Sequence, residues 1–328
     1  VRRREFIKFV GGAAVAWPIV ARAQQTTVPV IGFMGSETPE LYAPRLRAFR
    51  DGLGELGYVE DKNVTMSFQW AGGNYTLFRV MADELVRQKV SVLVAGGTTP
   101  ATRAALAATQ KIPVVFYVGA DPVAMGLVPS FNRPGGNATG ISGLSVELLA
   151  KRIELMHEVL PTAKAFGVLV NPSNWSSSET DARILQETAR SLDVALPTFE
   201  ATADGKFDAV FSTLRGAGVG GLIITSDAYF AVQAKQLALM ALRYSLPAIS
   251  LYRDFADAGG LMTYGGSITE YFRLLGNYTG RILQGESPSE LPVQQATKVE
   301  LVINLKTAKA MGLAVPLSLL ARADEVIE

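Results

Sequence analysis

The chain contains no cysteine. That absence excludes disulfides, thiolate catalysis and cysteine-ligated metal sites. It contains one histidine, His157, too few for a multi-histidine metal centre. His157 lies beside Glu158 on a predicted helix, and no G-x-S-x-G elbow occurs anywhere to supply it with a nucleophilic serine. It reads as a solvated or lightly packed side chain. The Gly-Gly pairs at 96–97, 135–136 and 265–266 lack the G-x-x-x-x-G-K-[ST] spacing of a nucleotide loop. Beyond the first two dozen residues no apolar run approaches the length of a membrane-spanning helix. These absences weigh against a thiolate site, a multi-histidine metal centre and a nucleotide loop.

The first residues, VRRREFIKFVGGAAVAWPIVARAQQ, have a basic start, an apolar middle and an A-x-A pattern at 21–23. This is the form of a secretory signal peptide. Arg3-Arg4-Glu5-Phe6-Ile7-Lys8 follows the twin-arginine pattern R-R-x-F-[LI]-K, with Arg2 where Ser or Thr is usual. A general secretory signal with a basic start is the alternative. Either implies an exported, periplasmic protein. Without residues 1–23 the chain loses five of its 31 basic side chains (Arg2, Arg3, Arg4, Lys8, Arg22) and one of its 30 acidic ones (Glu5). The remainder carries 26 basic and 29 acidic groups, a net charge of −3. A mildly acidic body argues against nucleic acid or an anionic membrane surface as partner.

About 305 residues exceed one typical core, so two lobes are expected. The first part alternates strand and helix. VPVIGFMG (28–35), VTMSFQWA (64–71), VSVLVAG (90–96) and PVVFYVG (113–119) read as buried strands, with helical spacing of apolar residues between them. The pattern predicts a parallel sheet with right-handed crossovers. A second set follows from AFGVLVNPS (165–173) through GLIITSD (221–227), PAISLY (247–252), GLMTYGGS (260–267) and VQQATKVELVIN (293–304), with a single helix predicted over 231–242. Charge runs at 45–50 and 322–325 read as solvated helix faces.

The most informative stretch is VSVLVAGGTTPATRAAL (90–106). A buried strand runs into Gly96-Gly97, then Thr98, Thr99 and Pro100 open an alanine-rich helix. Backbone donors and the positive end of a helix dipole converge there, as in an anion site. Ligands of open α/β sheets bind at such strand ends. Thr98, Thr99 and Gly97 are therefore candidates for holding a ligand carboxylate, against a plain helix cap. Ser36 after the first strand is a second candidate, against a turn residue. Asp121 is placed to face a cleft or to cap its own Asp-Pro turn. Asn174 is an opposing contact from the second half. Ser226 and Asp227 end GLIITSD, where the acid suits a ligand ammonium or a helix N-cap. Tyr252 and Tyr264 suit ligand walls or core, and Trp70 suits packing at a cleft rim.

Five blocks carry a resemblance over essentially the whole chain after the leader: FRDGLGELGYVEDKNV (49–64), VLVAGGTTPA (92–101), DPVAMGLVPSFNRPGGNATG (121–140), KRIELMHEVLPTAKAFGVLVNPSN (151–174) and NLKTAKAMGLAVPLSLLARADEVIE (304–328). In these the chain resembles the ABC-transporter substrate-binding proteins, in the subgroup that includes tryptophan- and tyrosine-binding members. The resemblance implies the periplasmic binding protein type I fold, α/β and two-lobed. Each lobe would be a mainly parallel sheet flanked by helices, and three crossings would join them. It puts the first lobe at 28–143 plus 260–287 and the second at 144–259 plus 288–328. It implies ligand contact through the loop at Thr98 and Thr99, and an acid at the position of Asp227. It also implies a small-molecule ligand such as an aromatic amino acid or an organic acid, and an ABC permease with its ATPase as partners. A ligand-sensing protein for a signalling partner, and more remotely a cleft enzyme, are the competing readings. Expressed with its leader in an exporting bacterium, the purified protein is expected to begin at Gln24. An intact mass that retains residues 1–23 would contradict the leader assignment.

Overall fold

The computed structural model describes residues 28–143, 145–173, 179–201, 207–295 and 298–328. The leader and Asn174 lie outside them. The first half alternates as the apolar runs require: β1 (Val30–Gly35), α1 (Pro39–Gly54), β2 (Thr65–Trp70), α2 (Phe78–Arg87), β3 (Val92–Gly96), α3 (Thr99–Ala108), β4 (Val114–Val118) and β5 (Ala138–Ser142). The second half follows with α4 (Ser145–Val159), β6 (Phe166–Val170), α5 (Glu179–Leu192), β7 (Thr198–Glu200), α6 (Phe207–Gly216), β8 (Gly221–Ile224), α7 (Ala228–Val232), α8 (Ala234–Arg243), β9 (Ala248–Ser250), α9 (Asp254–Asp257) and β10 (Met262–Gly266). The chain then continues through α10 (Ile268–Leu283), β11 (Gln294–Gln295), β12 (Val299–Asn304), α11 (Leu305–Ala310), α12 (Leu317–Leu320) and β13 (Glu325–Ile327). The helix predicted over 231–242 is two helices, α7 and α8, parted at Gln233.

Two sheets result. The six-stranded sheet has the order β11-β5-β4-β3-β1-β2 and is parallel throughout. The seven-stranded sheet has the order β13-β12-β10-β9-β8-β6-β7, and its β10–β12 pair is antiparallel. Both faces of each sheet are covered, which is why β1, β3, β4, β6 and β8 are apolar at every position. In the first lobe Ile31, Phe33, Val92 and Val94 point to the side of α1 and α10. Met34, Leu93 and Ala95 point to the side of α2 and α3. In the second, Leu222 and Ile224 pack with Phe211 and Leu237, while Ile223 packs with Ile153 and Met156.

The chain passes between lobes after β5, after β10 and after β11. Two of these differ from the expected boundaries. β10 was expected in the first lobe, with residues 260–287, but pairs with β9 and β12 of the second sheet. A hinge strand left without neighbours would have unmet backbone donors and acceptors, so the switch of lobe falls at the β10–α10 junction instead. The strand expected over 293–304 is divided for a similar reason. β11 adds to β5 in the first sheet, and β12 joins the second. Residues 288–295 therefore side with the first lobe rather than the second. Residue Glu325, expected on a solvated helix face, begins β13 beside β12.

α10 returns to the first lobe and lies against α1. Two glycines permit the approach. A Cβ on Gly52 would lie 1.9 Å from the Arg273 carbonyl oxygen, and one on Gly276 would lie 2.0 Å from that of Phe49. Glycine inside a helix costs about 1 kcal/mol relative to alanine, which the close packing offsets. Because the clash is with backbone, no rotamer change relieves it. Gly52→Ala is expected to lower stability by roughly 1–3 kcal/mol, seen as a lower urea midpoint, despite its better helix propensity. An unchanged or raised midpoint would show that the helices can separate freely.

Candidate functional site

Strand tips from the two sheets face one another. On the first-lobe side, β1 and β3 are neighbours in register, with Gly35 opposite Gly96. The residues that follow are therefore side by side. Ser36 Oγ donates to the Gly96 carbonyl at 3.1 Å and lies 3.4 Å from Thr98 Oγ1. The Ser36 N–H donates to Tyr42 Oη at 3.1 Å. Thr98 caps α3 by accepting from the Ala101 N–H at 3.3 Å. Gly97 has φ +127°, and a Cβ there would be 2.8 Å from Tyr42 Oη and 2.9 Å from Ser36 Oγ. A side chain at 97 would thus separate the two hydroxyl residues. Thr99 is half-buried at the first turn of α3.

On the second-lobe side stand Asn171 after β6, Ser226 and Asp227 after β8, and Tyr252 after β9. Asp227 is 1% exposed. Its Oδ1 accepts from the N–H groups of Tyr229 at 2.8 Å and Phe230 at 3.3 Å, and from Asn171 Nδ2 at 3.1 Å. It is the N-cap of α7. Tyr252 Oη lies 3.2 Å from Ser226 Oγ.

The two sides touch. Tyr75, in the turn after β2, donates from Oη to Asp227 Oδ2 at 2.8 Å and accepts from the Ala228 N–H at 3.1 Å. Gly73 approaches Tyr229 so closely that a Cβ would sit 3.1 Å from the Tyr229 Cα. Arg45 of α1 pairs with Glu37 at 3.0 Å and reaches Asp254 of α9 at 3.5 Å. Its guanidinium also lies over the rings of Tyr42, at 5.0 Å, and Tyr252, at 5.8 Å. Burial raises the pKa of Tyr42, Tyr75 and Tyr252, with nearby Glu37 or Asp227 adding to it. These phenols therefore stay protonated and remain O–H donors. A cavity of about 280 Å³ opens beside Tyr252, bounded also by Arg45, Asp254 and Ser267.

The sequence-predicted residues divide into groups. Ser36, Gly97 and Thr98 come together with Thr99 beside them, and Ser226, Asp227 and Tyr252 form a second cluster. Of all these, Tyr252 alone lines the cavity. Asp121 is exposed and takes the turn-capping alternative, accepting from Val123 and Ala124 N–H groups at 2.7 and 3.1 Å. Tyr264 lies within β10, and its ring packs against the second-lobe core that contains Ile153 and Leu301. Trp70 stacks on Phe68 with centroids 5.6 Å apart. His157 is half-buried with its ring edge-on to Phe166.

Sequence reasoning missed Glu37, Arg45, Tyr75 and Asn171. Arg45 was expected on a solvated face, yet it is only 5% exposed. A buried arginine and a solvated one look alike in a charged helix. Tyr75 had a signal, an aromatic directly after the Gly72-Gly73-Asn74 turn at a strand end.

Known proteins share this architecture. The Tyrosine-binding protein of Clostridioides difficile (strain R20291) is 26% identical over 268 residues, 81% of this chain and 76% of that protein. A conserved domain protein of Vibrio cholerae superposes with a TM-score of 0.84 at 26% identity, covering 92% of this chain and 100% of that one. An ABC domain from Streptococcus pneumoniae in complex with L-Trp gives a TM-score of 0.83 at 24% identity, with 92% and 100% covered. The two sheets and their passages are those of the type I periplasmic binding proteins. The pattern described as ABC transporter substrate binding protein matches residues 27–327, so with nearly its whole length accounted for, this chain belongs to that family.

Proposed function

We propose that the protein is an exported receptor that captures a small carboxylate-bearing metabolite, first of all an aromatic amino acid, between its lobes and delivers it to an ABC importer. The observation that carries this reading is the opposition of two strand-tip clusters, Ser36 and Thr98 against Ser226, Asp227 and Tyr252, joined across the lobes by Tyr75 and Asp227. The ligand carboxylate meets the hydroxyls of Thr98 and Thr99 at the positive end of the α3 dipole; Pro100 has no N–H there, and the Ala101 N–H is held by Thr98 Oγ1. Closure of the lobes excludes water and strengthens such contacts. The binding of tyrosine and L-Trp by relatives favours the aromatic choice. The role is capture without a catalytic step, in keeping with a family of substrate-binding proteins.

Asp227 is the ammonium partner in this reading. Its Oδ1 is engaged by capping donors, so an ammonium takes Oδ2 and Tyr75 yields its place there.

Two expectations follow from these roles. Replacing both Thr98 and Thr99 with Val should weaken L-tryptophan or L-tyrosine at least about tenfold by calorimetry, since each hydrogen bond to a charged group contributes about 1.5–3 kcal/mol. The lost cap also lowers stability by about 1 kcal/mol, so affinity must be measured well below the melting range. Unchanged affinity would reject the carboxylate assignment. Asp227→Asn keeps a good capping residue but removes the charge. It should weaken L-tryptophan by about tenfold and leave indole-3-propionate, which has no amino group, unaffected. Equal losses for both ligands would assign Asp227 to the fold alone.

A further inference from the structure

Among the described residues, two buried side-chain atoms have no hydrogen-bond partner: Glu37 Oε2 and Arg152 Nε. They differ in what balances their charge. Glu37 is paired through its other oxygen with Arg45 at 3.0 Å. Arg152 is 1% exposed, and its hydrogen bond runs from Nη1 to the Tyr264 carbonyl oxygen at 3.3 Å. No carboxylate among the described residues pairs with it. Burial pushes its pKa down to about 10, with Tyr252 opposing the shift. At neutral pH it therefore keeps its proton, and a guanidinium has no neutral form to fall back on there. Buried charges in folded proteins are paired, and a lone one is strongly destabilising.

The position of this charge links it to the interlobe site. Arg152 lies on α4, the first helix of the second lobe after the passage that follows β5. Leu148, one turn earlier on the same face, packs against the small cluster of Ala231, Leu251 and Tyr252, as does Ile268 at the start of α10. Tyr252 is the residue that touches Ser226 from one side and lies under Arg45 of the first lobe on the other. Arg152 thus sits behind the second-lobe cluster, close to the hinge, with an unused N–H.

We infer that Arg152 is an anion-receiving subsite of the interlobe site, whose Nε–H takes a carboxylate oxygen of the bound ligand while Nη1 stays on the Tyr264 carbonyl. This rests on the reading of that site as a carboxylate receptor. It adds the full positive charge that hydroxyls and a helix N-terminus do not supply. It also explains why the protein tolerates an uncompensated arginine: the empty receptor is held below its attainable stability, and the ligand completes the pair.

The test uses the mature protein, with Arg152→Met as the apolar variant and Arg152→Lys as the charge-retaining one. The probes are L-tryptophan, L-tyrosine, indole-3-propionate and benzoate, with tryptamine as the control lacking a carboxylate. Calorimetry gives affinity, and thermal melting of the ligand-free protein gives stability. The expected result has three parts. The acids bind the wild type and tryptamine does not; Arg152→Met weakens the acids at least about tenfold, with Arg152→Lys intermediate; and ligand-free Arg152→Met melts no lower than the wild type. Acids that bind Arg152→Met as well as the wild type would overturn the subsite and leave the carboxylate receptor standing. If no acid binds the wild type, the receptor reading and the subsite fail together. A lower melting point for ligand-free Arg152→Met makes the arginine a structural hydrogen-bond donor and overturns the inference.

Discussion

A buried carboxylate ties this molecule together. Asp227 is almost wholly removed from water, so each of its oxygens must be met by donors. Among the described residues, its own lobe supplies two backbone N–H groups of α7 and the Asn171 amide. The Tyr75 hydroxyl comes from the other lobe. Satisfying one side chain therefore fixes the start of α7, the loop after β6 and the relative placement of the lobes at that point. The same hydroxyl accepts from the Ala228 N–H, so the interlobe contact is cooperative rather than a single bond.

A second junction lies nearer the hinge and is built on charge. Arg45 is held by Glu37 in its own lobe and reaches Asp254 in the other. The first pair is buried, where loss of either partner costs about 3–5 kcal/mol. The second involves a partly exposed aspartate and is worth at most about 1 kcal/mol after screening by solvent. The asymmetry suits a hinged receptor. The strong pair stays intact within one lobe, and the weak one is free to break when the lobes part. The aromatic rings of Tyr42 and Tyr252 beneath Arg45 keep the guanidinium oriented in both roles.

Much of the fold was legible because parallel strands covered on both faces are apolar throughout, and few other elements are. The strands at 30–35, 92–96, 114–118 and 166–170 lie within the runs that predicted them. The boundaries between lobes were less legible. VQQATKVELVIN is a uniform strand by composition, yet its two halves pair in different sheets. Nothing local marks that division, because hydrogen bonding to distant partners decides it. The candidate site was legible where local chemistry was specific. Gly97 and Thr98 follow from the turn and cap they form. Arg45 and Arg152 were not legible, since a charged residue on an amphipathic helix is expected in water, and neither was Glu37, a charged residue in the bend between β1 and α1.

The sequence alone determined the strand and helix order of the first lobe through β5, the sites of the glycine turns and several capping residues, because each depends on neighbours within a few positions. The tertiary structure decided which tips meet. Ser36 and Thr98 are 62 residues apart, and Tyr75 and Asp227 are 152 apart. It also decided that Tyr264 packs in a core while Tyr252 faces the other lobe, and that one arginine is buried against an acid while another is buried without one among the described residues. Those outcomes depend on burial and pairing between remote segments, which only the assembled sheets bring within reach of each other.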